Sequence, residues 1–91
     1  MTVTSGNDVA ITTSWVDITV ARPELANADI FLENKVSGAA VYLVWGGAAP
    51  VAGSVKGQQL GYLQTVKGKA AAVWLRTEAS AGGLVAAGVI T

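Results

Sequence analysis

Gly and Pro cut this chain into short apolar segments whose side chains alternate, and that pattern specifies strands. Residues 9–20 place Ala10, Thr12, Ser14, Val16, Ile18 and Val20 on one face and Val9, Ile11, Thr13, Trp15, Asp17 and Thr19 on the other. The segment is rich in β-branched residues, which favour a pleated surface, and Pro23 ends it because it has no N–H for a ladder. Residues 24–28 are enough for one helical turn and no more. Residues 29–35 read as a strand with Ile30 and Leu32 on one face, and a turn follows from Asn34 to Gly38. Residues 39–45 read as a strand apolar on both faces, hence central. A loop of small residues spans 46–53 around Pro50. A short strand is expected near 60–66, a turn at 67–69, a strand over 70–77 and a last one over 84–91. About six strands spaced near ten residues predict an all-β fold, a small β-sandwich or jelly-roll-like barrel without significant helix. Residues 1–8 read as a flexible or extended arm, and 9–91 as a single β domain.

Composition then limits the chemistry. The chain has 91 residues, 52% hydrophobic and 13% charged, with no His, no Cys and a formal net charge of zero. A domain of this size buries only about 60–65% of the surface its unfolded chain exposes. Disulfides are impossible without Cys, so oligomerisation or docking onto a larger surface is the device expected to bury the remaining apolar surface. A chain without basic runs lacks the electrostatic footprint of a nucleic-acid binder. Residues 36–55 are uncharged and long enough to span a bilayer, but Gly46, Gly47, Pro50 and Gly53 put a turn in their middle, so no membrane partner is expected.

Nucleophilic catalysis needs a base beside the nucleophile. No His serves Ser5, Ser14, Ser37, Ser54 or Ser80, and Lys35, Lys56, Lys67 and Lys69 all neighbour turn residues, where lysines are solvated. Asp29 and Glu33 lie on one strand face about 13 Å apart along an extended strand, too far to work as a pair. The six carboxylates are scattered, which is no calcium loop. The expectation is a non-enzyme with no cofactor and no metal. Trp15, Trp45 and Trp74 all fall in strands, where large aromatics serve chiefly as packing anchors. Trp74 and Arg76 share a strand face, and both residue types are enriched in interface hot spots.

The run Ser14-Trp15-Val16-Asp17-Ile18-Thr19, then Asn34, Val41-Tyr42-Leu43, Pro50, the Gly57–Leu60 segment and Ala72-Val73-Trp74-Leu75-Arg76 resemble the small all-β structural proteins of tailed-phage virions. Among these are capsid decoration (cement) proteins and head-fibre or tail-associated modules. The resemblance covers most of the chain from Trp15 to Val85. It implies a β-sandwich or jelly-roll, a symmetric assembly such as a homotrimer, no catalysis, and a place on the outer surface of the capsid after synthesis in the host cytoplasm. The leading reading is therefore a decoration protein that binds the major capsid protein and stabilises the head shell. Trp74, Arg76, Tyr42, Trp45 and Tyr62 are its expected partner or oligomer contacts. The alternative is a trimeric fibre or tail-associated module in which Trp74 and Tyr62 form a platform for host-surface glycans.

Overall fold

The computed structural model of the chain describes residues 3–5, 8–54 and 57–90. Among the described residues, nine strands run in the order β1 Val3–Ser5, β2 Val9–Ile11, β3 Val16–Asp17, β4 Ile30–Asn34, β5 Val41–Trp45, β6 Gln58–Leu60, β7 Thr65–Gly68, β8 Val73–Thr77 and β9 Gly83–Ile90. They form two antiparallel sheets. The first has the order β1-β9-β4-β7, with β2 also paired to β9; the second has the order β3-β8-β5-β6. The architecture is an all-β sandwich.

Alternation along the strands builds one core between the sheets. Ile30 and Leu32 of β4, Val85 and Ala87 of β9, Val41 and Leu43 of β5, and Val73 and Leu75 of β8 all point inward and are buried. β5 lies between β8 and β6, the central place that its two apolar faces require. At the edge where β6 and β7 run in opposite sheets, Trp45 closes the gap. Its ring occupies the space a Cβ on Gly68 would need, 2.5 Å from that position, and its Nε1 donates to Gln58 Oε1 at 3.0 Å.

Four local expectations are corrected. Residues 9–20 are not one strand: β2 lies in the first sheet and β3 in the second, and the chain crosses between them over residues 12–15. Asp17 then ends β3, because its Oδ1 accepts from Thr19 N (3.0 Å), Thr19 Oγ1 (2.7 Å) and Val73 N (3.2 Å). That cap turns Ile18–Ala21 into one α-helical turn despite its β-branched side chains. The turn expected at 24–28 is a 3-10 turn one residue earlier, Pro23–Leu25. The single strand near 60–66 is two, β6 and β7, in different sheets. Lys67 and Gly68, read as a turn, belong to β7. Within the arm 1–8, Val3–Ser5 pairs with β9, while residues 1, 2, 6 and 7 lie outside the described residues.

β1 pairs with residues 88–90 of β9 and β2 with residues 83–85. Between them, Arg22 Nη1 donates to the Ala87 carbonyl at 2.7 Å, so a side chain satisfies that backbone acceptor. Arg22 also pairs with Glu24 at 2.9 Å, and Lys35 pairs with Asp8 at 2.7 Å.

These pairs set the expected pH response. A backbone hydrogen bond and then Arg22 hold the Glu24 carboxyl below its ordinary 4.5. The Asp8 carboxylate holds the Lys35 ammonium above its ordinary 10.5. A lowered acid contributes stability above its unfolded value and loses it as pH falls; a raised base contributes below its unfolded value and loses it as pH rises. With no His in the chain, the thermal midpoint should be flat from about pH 5 to 10 and fall outside it. A drop of several degrees between pH 6 and 8 in circular-dichroism melts would contradict this.

Candidate functional site

The outward face of the second sheet carries Tyr42 and Val44 from β5 opposite Arg76 and Trp74 from β8. This face is not left open. The connection from β5 to β6 begins Gly46-Gly47-Ala48-Ala49-Pro50-Val51-Ala52-Gly53-Ser54, and three N–H donors hold it. Trp74 Nε1 donates to Gly47 O at 3.0 Å, Trp15 Nε1 to Val51 O at 3.2 Å, and Arg76 Nη1 to Ser54 O at 3.0 Å. Gly46 N also donates to Ala72 O at 2.7 Å, and Ser54 N to Val51 O at 3.0 Å. Gly46 and Gly47 both have positive φ, 77° and 78°, which lets the chain reverse as it leaves β5.

Arg76 is the hub of this arrangement. It is only 6% exposed. Its Nε donates to Thr13 O at 2.8 Å, so one guanidinium ties the β2–β3 crossing to the 46–54 loop. Its Cζ lies 5.6 Å from the centre of the Tyr42 ring, a cation–π distance. Glu78 approaches Nη1 at 3.8 Å. A buried guanidinium with this many acceptors fixes geometry, because its planar fork serves two directions at once.

The loop held in this way has no charged residue, and Ala48, Ala49, Val51 and Ala52 are exposed. Val51 at its tip is 79% exposed. The arrangement is a pre-shaped, uncharged, small-residue surface, suited to contact with another protein.

The other residues expected at contacts are placed as follows. Tyr42 and Trp74 are half-buried around the Arg76 clamp. Trp45 is half-buried on the opposite, inward face of β5, against Gly68. Tyr62 lies in the turn between β6 and β7 and is 54% exposed. That turn is bonded to the end of β4, with Leu63 N donating to Asn34 O at 2.7 Å, while Trp74 is on β8 and bonds the 46–54 loop. Asn34, Asp17 and Thr77 are polar residues with structural roles that composition did not single out. Among the described residues, no group of three or more Asp or Glu is placed to hold a metal ion, and no helix is long and apolar enough to cross a membrane.

Replacing Trp74 with Phe keeps the ring packing and removes one bond to the loop. The expected loss is about 1 kcal/mol, with faster amide exchange at Gly46 and Ser54 and the sheets unchanged. Unaltered exchange at both amides would contradict the clamp.

Comparison of the chain with protein-family models, with curated proteins and with solved structures returned no match.

Proposed function

We propose that this protein is a non-enzymatic structural component of a tailed-phage virion, a decoration protein that binds the outer head shell in many copies as a symmetric oligomer. The observation that carries the reading is the 46–54 loop. It exposes apolar, uncharged residues, and three side chains hold it in one shape. A contact element ordered before binding costs little conformational entropy to dock. Modest affinity at one contact becomes large when a lattice repeats the site. The chain's polar side chains support this economy: Arg76, Asp17, Asn34 and Thr77 all bind backbone groups of distant segments and stiffen the sandwich.

The test is the composition of purified virions assembled in cells that carry the gene. The polypeptide is expected in a fixed ratio to the major shell protein, on the outer surface and accessible to antibody in intact particles. Virions that lack the chain would overturn the proposal.

A further inference from the structure

Among the described residues, nothing clamps the outward face of the first sheet as the 46–54 loop is clamped on the second. The inward set Val9, Ile11, Ile30, Leu32, Val85 and Ala87 is buried, so alternation turns Ala10, Phe31, Glu33, Leu84 and Ala86 to the outside, with Gly88, buried and without a side chain, in the same row of β9. Across β7, Thr65 faces Glu33 and Lys67 faces Phe31. Leu84 is 46% exposed, and Ala10, Thr65 and Lys67 are exposed. Small residues along β2 and β9 make this face shallow enough for another sheet to approach to about 10 Å.

We infer that this face is the contact between two copies of the chain, related by a twofold axis, with Glu33 of each copy set against Lys67 of the other. The charges identify the occupant. Glu33 and Lys67 lie diagonally on adjacent strands of one face, and among the described residues neither makes an ion pair. A twofold axis that crosses the strands between them exchanges the two positions, so one operation satisfies both charges on both copies. The same axis passes over β9 near Gly88, a buried position with no side chain to hold a second sheet away. The net charge of zero puts no long-range repulsion between copies. Four strand positions about 4.8 Å apart and up to eight residues long give a face on the order of 20 by 25 Å. On two copies this reaches the roughly 1,000 Å² that a specific interface needs. The assembly is then a twofold dimer, in place of the threefold unit that the family resemblance implies, and the inference stands whether or not the partner of the 46–54 loop is a phage shell.

The experiment is light scattering on the purified chain at micromolar concentration, with E33K, K67E and an equimolar mixture of the two. The wild type should have twice the mass of the 9.2 kDa chain. Each variant alone sets like charges against each other twice and should weaken the dimer by roughly a hundredfold or more, giving monomers. In the mixture, both contacts pair opposite charges again, and the dimer mass should return. Both positions are outside the core, and unchanged circular-dichroism melts of the monomeric variants verify the fold. A wild-type monomer, a trimer, a mass that neither substitution moves, or a mixture that stays monomeric would each overturn the inference. Virion composition, which tests the shell reading, is unaffected by any of these results.

Discussion

Replacing Asn34 with Ala should destabilise the protein by about 3 kcal/mol or more, a fall in the thermal midpoint of roughly 15 °C for a domain of this size. Asn34 ends β4 and is 1% exposed. Its Nδ2 donates to Leu60 O at 2.9 Å and to Ala39 O at 3.1 Å, and its Oδ1 accepts from Val36 N at 2.7 Å. One side chain therefore satisfies backbone groups from three segments and links the end of β4 to β6 in the opposite sheet. Ala leaves those groups without partners in the interior, where each costs about 1–3 kcal/mol. Asn34→Asp separates the two halves of the interaction. The carboxylate keeps the bond from Val36 but turns an acceptor toward the Leu60 and Ala39 carbonyls. It should be nearly as damaging at pH 7 and should recover in part at low pH, where the protonated acid regains one donor. Melts of both variants across pH test this, and a change under 1 kcal/mol for Asn34→Ala would contradict it.

Replacing Arg76 with Met should destabilise by about 2–3 kcal/mol and release the 46–54 loop. Met keeps much of the stem's packing, so the loss isolates the head group. Thr13 O and Ser54 O lose their donor, and the Tyr42 ring loses its cation. Arg76→Lys should not rescue the loop, because one ammonium cannot reproduce a fork that bonds in two directions. Amide exchange at Ser54 and Gly46 should rise in both variants while exchange in β4 and β9 stays slow. A variant as stable as wild type, with a protected loop, would remove Arg76 from its place as hub.

These two residues also show how legibility divided. The strands readable in the sequence are those with clean two-residue alternation between evident turns. Ile30 and Leu32 in β4, Val41 and Leu43 in β5, and Val73 and Leu75 in β8 are all buried as their pattern requires. The 9–20 segment misled because its alternation continues across residues 12–15, where the chain changes sheets. β-branched propensity at Ile18, Thr19 and Val20 gave no warning of the helical turn, because the deciding interaction is the Asp17 cap with its long-range bond from Val73. The segment that reads as one strand near 60–66 divides into two for a related reason. β6 pairs with β5 and β7 with β4, and such pairing is fixed by distant partners and not by local sequence.

The site was visible only in outline. Trp74 and Arg76 were legible as a pair on one strand face, and the loop around Pro50 as a loop. What joins them is three side-chain bonds to backbone carbonyls, which residue types do not encode. Arg76 reads from the sequence as a contact residue, and its burial follows from the chain folding over it. The exposed Val51 tip had no signal beyond a run of small uncharged residues.

The measurement that tests the account most directly is titration of purified phage shells that lack this polypeptide with the purified chain. Binding should saturate at a fixed number of copies per repeated shell site, the shell's melting temperature should rise, and Val51→Asp should weaken binding without altering the fold of the free protein. A well-folded wild-type chain that shows no saturable binding to intact shells, at concentrations up to tens of micromolar, would contradict the account.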